Sequence, residues 1–234
     1  MHVVSHLISR SPSTAGRAVQ RVRTHLLPQC WICAAALTLT TGIADAYTAT
    51  LVPAAPLTVY LQVGVGTFTG GNYNSGGQPA NNTTINTVSA SVPISALGNG
   101  TAQAMTTNST ATNSFLDSFT FCTVPGQVYI GGFYRTTGAT TAAARVTATV
   151  PAALVNAVGD TIPFSKISWT SSGIGDAGAQ PFPAATFVNG GVQNVGSIAS
   201  NQWAESCWSF SYLNNSVPAA GTYSARVLYT LTAP

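Results

Sequence analysis

Histidine is missing from the chain after its first tenth or so: the three present are His2, His6 and His25. The remainder therefore has no Ser-His-Asp or Cys-His machinery and lacks the commonest metal ligand. Charge is almost as scarce, at 6% of residues, against about 25% in ordinary globular proteins. The net charge of +3 comes from the N-terminus, where Arg10, Arg17, Arg21 and Arg23 cluster. After residue 46, Arg135, Arg145, Lys166 and Arg226 are balanced by Asp117, Asp160, Asp176 and Glu205. No basic patch is left to hold phosphates, so a nucleic-acid partner is not expected. The apolar run Trp31–Leu39 falls well short of the roughly 20 residues that span a bilayer as a helix.

What is present is apolar and β-forming. Hydrophobic residues make up 45% of the chain, enough for a core and too many for a disordered segment. Thr, Val and Tyr suit pleated strands, and Gly and Asn suit turns. Arg21 and Arg23 precede the apolar run, and Ala44-Asp45-Ala46 follows it. A basic region, a short apolar stretch and an A-x-A site predict a secretory signal peptide over 1–46, cleaved after Ala46. The pair Cys30 and Cys33 leaves with it. The expected mature protein is one domain, 47–234, that is secreted, periplasmic or on the cell surface, with no membrane span after cleavage.

Strand patterns fill that domain. Leu57, Val59, Leu61, Val63 and Val65 alternate strictly, the period of a half-buried strand. Further strands are expected at Ile85–Val92, Phe115–Phe121, Gln127–Tyr134, Ala142–Val150, Ser165–Trp169 and Gln202–Tyr212. Thr186–Val188 and Val192–Val195 flank Asn189-Gly190-Gly191, which reads as a hairpin. Pro151–Val158 reads as one helical turn, with Pro151 at its first position. Gly-rich loops are expected over 69–82 and 171–183, the first either a mobile binding loop or, as the preferred reading, simply solvated. The sum is an all-β fold, an immunoglobulin-like or related antiparallel β-sandwich of about ten strands. Val88–Pro93 echoes Val146–Pro151, which leaves open a duplication and two smaller sandwiches.

Few residues offer chemistry. Cys122 and Cys207 are the only cysteines after residue 46, and an even count in an exported chain predicts a disulfide. Closing so long a loop stabilises by about 4 kcal/mol in the chain-entropy account. Asp117 and Glu205 flank these cysteines in sequence and are the best pair for carboxylate hydrolysis, but an enzyme is not expected, nor a metal or cofactor. Trp203 and Trp208 could stack on sugar rings, as in a carbohydrate-binding or adhesin module, or could fill the core. Their odd separation sends them to opposite faces of a strand, so one of them is the better surface candidate. Asn82, Asn99, Asn108 and Asn214 each begin an N-x-S/T pattern.

The last fourteen residues, Gly221 to Pro234, carry the sharpest signal. Tyr223, Ala225, Val227, Tyr229 and Leu231 share one strand face. This ending resembles the C-terminal strand of bacterial chaperone–usher pilus subunits, which opens on Gly at that position and then alternates apolar residues. The leader, the Thr/Asn/Gly-rich strands and the single disulfide are similar to the archaic, spore coat U-like secreted subunits. The resemblance implies a sandwich lacking one strand, a periplasmic chaperone that pairs with Thr222–Thr232, and like subunits that assemble by β-strand addition. The implied donor is Thr48–Val65, through Leu57, Val59, Leu61 and Val63, unless that stretch is simply the first strand of its own domain. The acceptor edge would comprise Gly221, Tyr223, Val227, Tyr229 and Leu231. The alternatives are a glycan-binding module and an exported β-sandwich that does not polymerise.

Overall fold

The computed structural model describes residues 48–138 and 140–234, together with the backbone of residues 2–4. The expected cleavage site and the Cys30/Cys33 pair lie outside the described residues. Strands of three or more residues are β1 (His2–Val4), β2 (Thr48–Thr50), β3 (Thr58–Val63), β4 (Asn86–Ser89), β5 (Val128–Arg135), β6 (Ala144–Val150), β7 (Ala153–Val155), β8 (Thr161–Pro163), β9 (Ile167–Ser172), β10 (Gly191–Ile198), β11 (Gln202–Tyr212) and β12 (Arg226–Thr232). The fold is all-β, with no helix as long as seven residues among the described residues.

Two larger sheets form the sandwich. The front sheet runs β10-β6-β12-β1-β4 and ends on Thr106–Thr107. The back sheet runs from Ala185–Thr186 through β9, β11 and β5 to β3, with β2 and Gln103–Ala104 also paired to β11. Every pairing is antiparallel except β1 with β12. Between the sheets lies the main core, where Val146, Ala148, Val227 and Tyr229 from the front meet Leu61, Ile130, Trp208 and Phe210 from the back. β4 and β6, which carry the sequence echo, share the front sheet.

The back sheet is buried on both faces along β5 and most of β11. Its outer face presents Tyr60, Tyr129, Phe133, Trp203, Glu205 and Cys207, all buried. A long excursion between β3 and β5 folds over them, inserting Phe68, Tyr73, Phe115 and Leu116. The Cys122–Cys207 disulfide, with Cα atoms 5.6 Å apart, fastens the end of this cover to β11. The loop expected to be solvated over 69–82 is part of the cover. Tyr73 N–H donates to Phe115 O and Asn74 N–H to Leu116 O, at 2.9 and 2.8 Å. The Tyr73 ring lies against Phe133 and Trp203.

Three local expectations are corrected. Pro151–Val158 is not helical: β7 and β8 form a hairpin instead, because Asn156 Oδ1 accepts from the N–H groups of Val158 and Asp160 and makes the turn. Thr186 and Val192 do not face each other across a hairpin. Ala185–Thr186 pairs with β9 and β10 with β6, because buried Phe187 carries the chain from one sheet to the other. Phe115–Phe121 is a turn of the cover, not a strand. Ser114 N–H and Ser118 N–H bond Phe119 O and Ser114 O, and Ser118 takes a left-handed φ of 68°.

Close packing of the back sheet depends on Gly131 and Gly132 in the middle of β5. A Cβ on Gly132 would lie 2.1 Å from the carbonyl oxygen of Tyr60 on β3. A backbone atom cannot step aside as a side chain can, so Gly132→Ala must spread the β3–β5 ladder. We expect a loss of at least about 2 kcal/mol in chemical denaturation, whereas alanine at the exposed Gly100, where a Cβ meets nothing, costs only the strain of its positive φ.

Candidate functional site

Two places stand out: a gap in the front sheet, and a buried polar cluster on the outer face of the back sheet. The gap lies beside β12. One edge of β12 is fully engaged with β6 from Leu228 to Thr232. Its other edge meets only β1, with His2, Val3 and Val4 opposite Arg226, Val227 and Leu228. β4 pairs with β1 on the far side, through Asn86 and Thr87. Without β1, β12 and β4 would both be free edges, because no other strand joins them among the described residues.

An open groove of ≈ 410 Å³ extends this gap. Its walls are residues 88–97, which continue β4, and 218–223, which lead into β12. Both walls lie at the His2 end of β1, so the groove is in line with the strand position. Val88, Met105, Leu154, Ile162, Ile167 and Tyr212 form the buried part of its lining, and no lining residue is charged. The Tyr212 hydroxyl is buried without a hydrogen-bond partner, so it has a donor to offer to an occupant. Ile94 and Val217, at 93% and 74% exposure, add apolar surface at this end. Ile94 lines the groove, and Val217 packs over Gly98, one residue past the Leu97 wall.

The predicted acceptor residues fall here. Gly221 and Tyr223 line the groove, Val227 and Tyr229 are buried core residues of β12, and Leu231 packs partly against the core. The predicted donor residues do not. Val59, Leu61 and Val63 belong to β3, paired in register with β5, while Leu57 lies just outside it, half exposed. Leu61 and Val63 are in the main core, so the stretch serves as a strand of its own domain.

Trp203 and Trp208 do point to opposite faces, but neither reaches the surface: both are 0% exposed. The physical reason is that each face of β11 is covered. Trp208 faces the sandwich core and donates to Phe182 O at 2.9 Å. Trp203 lies under the excursion, among Tyr60, Phe68, Tyr73 and Phe133. The surface aromatic expected for glycan stacking is therefore not supplied by either residue.

The Trp203 indole instead donates to Glu205 Oε2, at 2.9 Å. Tyr129 Oη donates to the same oxygen at 2.5 Å and Ser114 Oγ at 2.9 Å. Oε1 is buried with no partner. Gly131, opposite Glu205 in the ladder, keeps the space open, because a Cβ there would sit 2.3 Å from Tyr129 Oη. Desolvation pushes the Glu205 carboxyl up to about 7, with Asp117 adding to the rise and the three donors opposing it. Burial raises the Tyr129 phenol well above its usual range, and the neighbouring Glu205 reinforces this. Asp117 thus adds its charge to the Glu205 environment, but Glu205 is 0% exposed, so a substrate does not reach it.

The remaining candidates have structural partners. Asn214 is buried and donates to Ala96 O, Asn82 donates to Val65 O, Asn108 Oδ1 accepts from Thr87 N–H, and Asn99 Oδ1 accepts from Thr101 N–H. No group of three His, Cys, Asp or Glu that could hold a metal occurs among the described residues, and no described helix is long and apolar enough to cross a membrane. No protein-family model matches the chain, and no curated protein or solved structure matches it either.

The Glu205 environment has a signed consequence for stability. Its folded-state pKa lies above the ordinary value of 4.5, so the folded protein holds the proton more tightly than the unfolded chain. Stability from this group is fully present below about pH 4.5, declines as pH rises, and is lost above about pH 7, a change of about 3 kcal/mol. Glu205→Gln removes the titration. Denaturation at pH 5 and pH 8 should show the decline in the native chain and a much flatter response in the variant.

Proposed function

We propose that the chain is an exported, non-catalytic structural subunit that assembles by accepting a β-strand beside β12. The observation that carries this reading is the gap between β12 and β4. It is bridged by only three residues of a segment expected to be cleaved off, and it opens into an uncharged apolar groove. Pairing with β12 would satisfy its free backbone groups, and alternate side chains of the incoming strand would enter the groove. Tyr212 would gain a partner for its hydroxyl. The resemblance of the C-terminal strand to pilus subunits supports the same reading, and it names the partners: a periplasmic chaperone first, then a like subunit. The donor strand comes from the partner, since Thr58–Val63 is committed to the back sheet.

The test is assembly of protein exported by a bacterial host. Wild-type protein should run as complexes or ladders that resist mild SDS. Ile94→Asp and Ala220→Arg place charge in the groove at exposed positions, away from the core. Together they should lower assembly at least tenfold with thermal stability unchanged. Exported protein that is stably monomeric, and that exchanges no strand with any copy, would sink the proposal.

A further inference from the structure

The floor of the groove is not uniformly apolar. Tyr212 ends β11 at 8% exposure. It shares a strand face with Trp208 and Phe210, the face that meets the front sheet. Its cross-strand neighbours are Ile167 on β9 and Gln103 on the other side. Ile167 has no polar side-chain atom, and Gln103 donates its amide to Thr101 O at 3.0 Å. Tyr223, on the groove wall, is close enough for the two phenols to interact electrostatically. Its hydroxyl, however, donates to Ala219 O at 2.8 Å. The Tyr212 hydroxyl is left buried with no partner. Tyr229, the other tyrosine whose hydroxyl lacks one, does not line the groove.

The geometry of a sheet limits what can supply that partner. A strand seated between β12 and β4 directs its backbone N–H and C=O groups sideways into two ladders, as β1 does. Only its side chains project toward the back sheet. The group that meets the Tyr212 hydroxyl is therefore a side chain carrying an oxygen acceptor. It is uncharged, because no lining residue is charged and a carboxylate buried there would have no counter-ion. It is short, because the strand already fills the space between the walls. Serine and threonine meet these conditions, and threonine suits a strand better. The described residues of β1 stop at His2, before the groove, and leave this position unfilled.

We propose that Tyr212 is the specificity-determining residue of the groove, selecting an incoming strand with threonine or serine at the inward position over the end of β11. The inference rests on strand acceptance beside β12 and names the chemistry of the accepted strand. Its other inward positions face Val88, Met105, Leu154, Ile162 and Ile167 and are apolar. Discrimination arises because a wholly apolar strand would seal the Tyr212 hydroxyl away from any partner, while one hydroxyl on the strand satisfies it. The free protein makes no use of that hydroxyl, so its removal is felt in the complex and not in the fold.

The test is binding of strand-length synthetic peptides to the exported protein, followed by fluorescence anisotropy. The parent peptide alternates valine, facing inward, with lysine or serine. Each variant replaces one inward valine by threonine, which has the same shape. At least one threonine peptide should bind about tenfold tighter than the parent. In Tyr212→Phe that advantage should vanish, while the free variant melts no lower than the wild type. Binding with no preference for threonine, or a preference that survives Tyr212→Phe, would overturn the assignment and leave strand acceptance standing. Failure of every peptide to bind, or binding that persists in the Ile94→Asp, Ala220→Arg protein, would overturn strand acceptance and this inference with it.

Discussion

The antiparallel ladder between β5 and β11 is the contact on which the rest of the protein depends. Each strand is buried on both faces. In β5, Ile130 faces the sandwich core while Tyr129 and Phe133 face the cover; in β11, Trp208 and Phe210 face the core while Trp203, Glu205 and Cys207 face the cover. Gly131 and Gly132 let β3 and the Tyr129 hydroxyl come close enough for this. A chain with so little charge can bury both sides of a sheet at modest polar cost, provided each buried polar group finds a partner. Glu205 does so incompletely, with three donors on Oε2 and none on Oε1.

Burial is unequal between the two sheets. The back sheet is completed by the chain's own cover and fastened to it by a disulfide. The front sheet is interrupted between β12 and β4, where its continuity rests on three residues at the far N-terminus. An exported chain that loses its leader would be left with two unpaired strand edges and an apolar groove, an arrangement that invites another strand. The acceptor reading thus comes from the front sheet.

Much of this was legible in the residues. Gln202–Tyr212 is a strand with the expected bounds, the all-β class holds, and the two cysteines pair. The period-two face of the last strand is buried through Val227 and Tyr229, although its ladder starts only at Arg226. A stretch such as Trp203-Ala204-Glu205-Ser206-Cys207-Trp208, with large residues at both parities, is itself a sign of burial on two faces. Read that way, it would have warned that neither tryptophan is at the surface. Gly131 and Gly132 in mid-strand are a further sign of this kind, of a close backbone approach. The groove could not be read, because its walls come from residues 88–97 and 218–223, which only the sheet topology brings together. At Pro151–Val158, proline fits the start of a helix and the start of a hairpin strand alike, and Asn156 decides between them.

The most direct measurement is a residue-resolved map of native-state hydrogen exchange for the full chain. On this account the slowest amides are in Val128–Phe133 and Trp203–Trp208, exchanging only by global unfolding. The amides of β4, and those of β12 that point away from β6, exchange orders of magnitude faster through local opening. Uniform protection across both sheets, with β4 and β12 as slow as β5 and β11, would contradict it.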